Sequence, residues 1–228
     1  VAKDFNGTTS RITGTLASAL NADADFTVGG WFFPDTTGEG TNGSLLALHT
    51  AAAGPIVFVG RFATGTDFKA IVVHSTTNAD TTTSGNPVAT GQWNAVFITY
   101  RASDNTCRIY VGDLDTPVAE TAYTAQTAGV GTPTAGGVDV VVGNQAALTW
   151  THDGRIEDPF IVPWEMTVAE MERFRHGDRS VLYERGTPTF HALLESTAVD
   201  LAPARTALTE SSVTTAEGPP VARSWGHE

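Results

Sequence analysis

GQWNAVFITY, residues 91–100, decides the fold class. In an extended chain alternate side chains point to opposite faces. Trp93, Ala95, Phe97 and Thr99 then face one way, and Asn94, Val96, Ile98 and Tyr100 the other. Apolar bulk on both faces is the pattern of a strand covered on both sides, in the middle of a layered β structure. The next residues, Arg101-Ala102-Ser103-Asp104-Asn105-Thr106, include an Asp-Asn pair that adopts left-handed backbone angles readily. They predict a hairpin connection into a strand at Thr106–Val111.

Short apolar runs of the same kind recur on either side. They predict strands at Ala2–Phe5, Arg11–Ile12, Phe26–Phe33, Ser44–Leu48, Ile56–Arg61, Phe68–His74, Val138–Gly143 and Arg155–Val162. Gly, Asn, Asp and Thr clusters separate them, so the pattern is that of a sandwich, jelly roll or barrel. The composition agrees, with 35 Thr, 21 Val and 23 Gly in 228 residues. Thr and Val suit half-buried pleated surface, and Gly suits turns. A chain of this length can bury roughly 70% of its unfolded surface, enough for one large core. Thr76–Asn86 and Ala125–Gly137 read as long Thr/Gly/Ala-rich loops.

One helix is signalled. Thr167-Val168-Ala169-Glu170 is a capping box, with Met166 and Met171 placed as a hydrophobic staple. Val168, Met171 and Phe174 share a face, Arg173 to His176 put positive charge in the last turn, and Gly177 ends it. Beyond it, Phe190–Leu194 predicts a strand returning to the sheet and Thr206–Thr209 a short extended piece. The Glu217-Gly218-Pro219-Pro220 stretch cannot be regular structure.

Charge and cysteine exclude several functions. Asp plus Glu number 25 against 13 Lys plus Arg, a formal charge of −12. Such a chain repels nucleic acid and anionic membrane surfaces. It has no apolar run long enough to span a bilayer. Val1-Ala2-Lys3-Asp4-Phe5 does not read as the start of a secretion signal. The single cysteine, Cys107, excludes an internal disulfide and a cysteine-based zinc site.

Five segments in order resemble a laminin-G-like, concanavalin-A-like jelly roll. FNGTTSRI (5–12) resembles the family's FDGxxDYI opening, and FTVGGWFFP (26–34) its FTISAWVKP strand. GQWNAVFITY resembles GTWHHVAVTY, and CRIYVGD (107–113) resembles LRLYVDG. VVVGN (140–144) with HDGRIED (152–158) resembles LRIGN followed by FDGYIDEVRIY. The resemblance covers residues 1–176 and implies an all-β, antiparallel β-sandwich jelly roll with one short C-terminal helix. Residues 177–209 are then an extension returning to the sandwich, and residues 210–228 a Pro-containing tail or arm. The C-terminal stretch from Phe190 to Val221 further resembles an ending of laminin-G-like proteins in tailed phages.

Catalytic patterns are missing. The alternating carboxylates of a jelly-roll glucanase, a G-x-S-x-G elbow and an H-E-x-x-H pair do not occur. Cys107 falls in a predicted strand and reads as a buried thiol. No enzyme activity is expected. The resemblance admits a structural Ca²⁺ at the sandwich rim, with Asp23, Asp25, Asp113, Asp115 and Asp153 as candidate ligands; read without it, these are solvated turn carboxylates. No other cofactor is expected. A sugar site needs an aromatic platform near a loop end. Trp150 with His152, Tyr123 and Trp164 are the candidates, and packing at the sandwich edge is their other reading.

The resemblance therefore implies a non-enzymatic virion structural protein on the particle surface, made in the host cytoplasm. It would be a capsid decoration, head-fibre or tail-surface protein. It would dock on capsid or tail proteins, with homo-oligomer or lattice contacts, through its loops and a C-terminal arm containing Pro219, Pro220, Arg223 and Trp225. The alternative is a carbohydrate-binding adhesin that contacts host or mucus glycans.

Overall fold

The computed structural model describes residues 1–16, 20, 23–36, 38, 43–50, 53–61, 67–134, 139–144, 150–194, 198–202 and 208–221. They form two antiparallel sheets packed face to face, with a helical layer outside one of them. The first sheet runs β10 (Ala119–Glu120), β9 (Thr106–Asp113), β8 (Asn94–Arg101), β3 (Phe26–Pro34), β13 (Asp153–Val162), β1 (Ala2–Asn6), β17 (Val213–Ala216). β14 (Phe190–Leu194) also pairs with β13, and β15 (Ala198–Asp200) with β14. The second sheet runs β11 (Tyr123–Thr127), β7 (Ala79–Thr83), β6 (Phe68–Val72), β5 (Ala53–Arg61), β4 (Gly43–Thr50), β12 (Asp139–Val142), β2 (Arg11–Thr15), β16 (Thr209–Ser211). The all-β sandwich and its one short helix are as the sequence predicts.

β8 shows why both faces of its sequence are apolar. Val96, Ile98 and Tyr100 point between the sheets, where they meet Phe26, Val28, Phe32, Phe68 and Ile109. Ala95 and Phe97 point the other way, into a second cluster with Trp31, Trp93, Phe160, Met171 and Phe174. The helix α1 (Val168–Arg175) covers that second face. Phe174 meets Phe97 edge-on at 5.6 Å and Phe160 at 4.9 Å, and Trp31 meets Trp93 edge-on at 6.5 Å. Burying each such ring contributes about 1.5–3 kcal/mol. Gly29 makes this packing feasible: a β-carbon there would lie 2.7 Å from the Phe160 ring and 2.9 Å from that of Phe97.

The capping box forms as the sequence implies. The Thr167 hydroxyl accepts from the Glu170 amide, and the Glu170 carboxylate accepts from the Thr167 amide at 2.7 Å. Two arginines then fasten the helical layer. Arg175 donates to the carbonyls of Asp113 and Leu114 and pairs with Glu172 at 2.6 Å. Arg179 is wholly buried; its Nε donates to Asp158 at 2.7 Å, and its guanidinium lies 4.0 Å above the Phe174 ring. Asp158 sits at a β-bulge with φ of 47°, which turns its carboxylate toward Arg179.

Two expectations need correction. β7 lies inside the predicted loop Thr76–Asn86, and β11 takes up the start of the predicted loop Ala125–Gly137. In β7 the inward positions are Ala79, Thr81 and Thr83, so the buried face is largely hydroxyl-bearing. Thr81 donates to the Cys107 carbonyl at 2.7 Å; Thr83 donates to the Gly85 carbonyl and accepts from the Phe68 amide. Each buried hydroxyl is satisfied, which is what makes its burial tolerable. The C-terminal segment runs along the chain's own edge: β16 pairs with β2, β17 pairs with β1, and Pro219 is buried. The Lys3 ammonium meets the Glu210 carboxylate at 2.9 Å and ties β1 of one sheet to β16 of the other. Arg223 and Trp225 lie outside the described residues.

Candidate functional site

A pocket of about 440 Å³ opens beside the N-terminus of α1. Asp25 enters it from just before β3, Arg101 from the end of β8, Tyr110 from β9, Trp164 and Glu165 from the turn after β13, and Arg185 from beyond the helical layer. The Thr27 hydroxyl fixes the Trp164–Met166 turn: it donates to the Trp164 carbonyl at 2.8 Å and accepts from the Met166 amide at 2.9 Å. Arg101 grips Glu165 with two parallel bonds, Nε to Oε2 at 3.1 Å and Nη2 to Oε1 at 2.7 Å. That bond holds the guanidinium in its charged form well beyond the ordinary range. Arg185 spans the rim, pairing with Glu170 at 2.8 Å and donating to the Glu165 carbonyl at 3.3 Å. Asp25 accepts the Ala102 amide through Oδ1. Burial pushes the Tyr110 phenol up, so it stays a neutral donor. The Trp164 indole N–H meets no acceptor among the described residues. Indole, fixed carboxylates and a guanidinium in one concavity can bind a polar ligand that has an apolar face.

The other sequence candidates lie elsewhere. His152 is buried, with its ring edge-on to Phe5, and precedes β13, while Trp164 follows it; the 10 residues of β13 span about 30 Å. Trp150 is half-buried beside β4, where its carbonyl accepts the Ser44 amide. The Tyr123 hydroxyl is engaged within the edge strands, accepting from the Ile109 amide and donating to Glu120. Of the four aromatic candidates, Trp164 is the one in this pocket.

The candidate metal ligands are scattered too. Asp113 Oδ1 accepts the amides of Asp115 and Thr116, and Oδ2 accepts from Gln92, so its oxygens fold its own turn. Asp25 and Asp113 lie at opposite ends of β8, and Asp153 accepts from the Thr36 hydroxyl on another loop. Among the described residues no three His, Cys, Asp or Glu side chains converge on a point where a metal would sit. The five candidate carboxylates are thus not gathered into one calcium cage among the described residues.

Arg101, Tyr110, Glu165 and Arg185 carried no sequence signal for a site. The one available hint was Trp164-Glu165 placed directly before a capping box, where a turn exposes side chains at a helix start.

No family model matches the sequence, and no curated protein sequence does either. Solved structures do match. A native heptameric SAP-like pentraxin from Limulus polyphemus is 14% identical over 92% of this chain and 95% of its own, with a TM-score of 0.58. A protein from Bacteroides ovatus described as carbohydrate-binding is 11% identical, with 97% of this chain and 61% of that one covered and a TM-score of 0.63. The LG1-3 region of the laminin alpha2 chain is 14% identical over 70% of this chain and 30% of its own, with a TM-score of 0.51. All three are concanavalin-A-like jelly rolls, and the present chain has that fold. At these identities the likeness carries the fold alone, and none of the three is described as a virion protein.

Proposed function

We propose that this chain is a non-enzymatic binding module that takes a saccharide in the Trp164 pocket. The observation that carries the reading is the indole set among Asp25, Tyr110 and the Arg101–Glu165 fork in one concavity. A sugar ring stacks its C–H face on an aromatic plane while fixed carboxylates and guanidinium groups meet its hydroxyls. The description of the Bacteroides ovatus neighbour as carbohydrate-binding supports the same reading. So does the state of the reactive groups. Both Glu165 oxygens are occupied by Arg101, and Cys107 is buried with its thiol pushed up by desolvation.

A glycan array tests the proposal. Wild-type protein binds a subset of neutral glycans, and Trp164→Ala loses that binding while retaining its melting midpoint within a few degrees. An array with no bound glycan, or one unchanged in Trp164→Ala, overturns it. The finer reading, docking on a capsid or tail lattice at a virion surface, rests on the sequence resemblance of the C-terminal stretch. The surface this stretch offers to such a lattice is the outer edge of β16 and β17.

A further inference from the structure

We propose a second ligand groove, for a carboxylate-bearing saccharide, on the outer face of the second sheet, with Arg11 as its anchor. The groove measures about 450 Å³, and Arg11, Thr13, Thr15, Asp139, Val141 and Thr209 line it. Strand pairing sets the arrangement. Thr13 stands between Thr209 of β16 and Val141 of β12; Thr15 stands beside Asp139 and donates to it at 3.1 Å; Arg11 stands beside Ser211. The groove therefore has a cation at one end, a carboxylate at the other, and threonine hydroxyls between them.

Arg11 is set apart from the other cations whose side chains are described. Lys3, Lys69, Arg101, Arg108, Arg173, Arg175, Arg179 and Arg185 each pair with an Asp or Glu. Arg155 lays its guanidinium 3.6 Å from the centre of the Phe33 ring and 5.6 Å from that of Trp93. Arg11 makes no ion pair, side-chain hydrogen bond or ring contact among the described residues, in a chain with 25 acids to 13 Lys and Arg. A half-buried, unspent guanidinium presents a planar fork matched to a carboxylate.

The rest of the lining says what carries that carboxylate. Threonine hydroxyls exchange hydrogen bonds with sugar hydroxyls. Asp139 accepts from hydroxyls and repels a second carboxylate, so the acidic end of the ligand is held at Arg11. Arg11 and Thr15 are four strand steps apart, roughly 13 Å, which suits a short oligosaccharide better than a single sugar. The groove is on the opposite side of the sandwich from α1, so the proposal does not rest on the Trp164 pocket.

Titration calorimetry with 3′-sialyllactose, a trisaccharide whose single carboxylate lies at one end, and with the same trisaccharide whose carboxylate is reduced to the neutral alcohol, tests it. Wild-type protein binds the acidic form at least about tenfold more tightly than the neutral one, the scale of one charge-assisted bidentate contact. Arg11→Gln loses that preference, Arg11→Lys retains only part of it, and Trp164→Ala leaves it intact. Failure of the wild type to bind 3′-sialyllactose overturns the proposal, as does equal binding of the neutral form or binding unchanged in Arg11→Gln. If Trp164→Ala alone abolishes binding, the acidic sugar belongs to the other pocket and the Arg11 groove is refuted.

Discussion

The two outer faces of the sandwich differ in how they treat charge. The outer face of the first sheet lies beneath α1, and its charged groups are consumed internally. Arg179 is neutralised by Asp158, Arg175 by Glu172, and Arg155 lies on aromatic rings. On the outer face of the second sheet Thr13, Thr15, Thr209 and Arg11 front a groove, and among the described residues the guanidinium has no ion-pair partner. The difference teaches where to look for recognition. Where a helical layer covers a sheet, polar side chains hold that layer; where they line an open groove, they are available to a ligand.

The sharpest way to break the comparison is to remove a charge from the covered face. Arg179→Met leaves Asp158 buried without its cation, and urea unfolding should show a loss of about 3–5 kcal/mol. A loss below about 1 kcal/mol would mean that the helical layer does not depend on this pair.

Acidification comes next. His191 is wholly buried, and desolvation, helped by the nearby Arg179 charge, lowers its pKa from 6.5 to about 3. Below pH 6.5 the unfolded chain binds a proton at His191 that the folded protein refuses until about pH 3. Stability therefore falls as pH drops through that window, by about 1.4 kcal/mol per unit once well below 6.5. Urea midpoints at pH 7, 6 and 5 should decline in order, and His191→Gln should flatten the decline.

A smaller effect sharpens the same contrast at the edge of the covering layer. Thr167→Ala removes the cap of α1 and should cost about 1 kcal/mol, read as a lowered melting midpoint. On the outer face of the second sheet Arg11→Gln should change stability by less than about 0.5 kcal/mol, because Arg11 makes no ion pair or side-chain hydrogen bond among the described residues. A substantial loss there would show that Arg11 supports the fold.

The legible part of the sequence was the part written in apolar alternation. Trp93 to Tyr100 announced a strand between two layers, and Thr167 to Glu170 announced the start of a helix. β7 was hidden because Thr81 and Thr83 fill inward positions that pattern reading reserves for apolar side chains. The Trp164 pocket was half visible. Its tryptophan was named, but Arg101, Tyr110 and Arg185 come from segments far apart in sequence, and only strand pairing and the turn after β13 bring them together. Trp150 with His152 beside it looked more promising in sequence, yet His152 turns inward against Phe5. Arg11 gave no signal, since a cation is unspent only in relation to contacts that one dimension does not show.

The ribbon formed by β16 and β17 adds the last rung to both sheets, and Ala2 lies opposite Ala216. During translation β1 and β2 emerge first but wait for these residues before their outer edges are covered. An open edge invites pairing with another nascent copy, and contacts this distant along the chain form slowly. Until residue 216 leaves the ribosome, the outer edges of β1 and β2 thus stay open to such pairing.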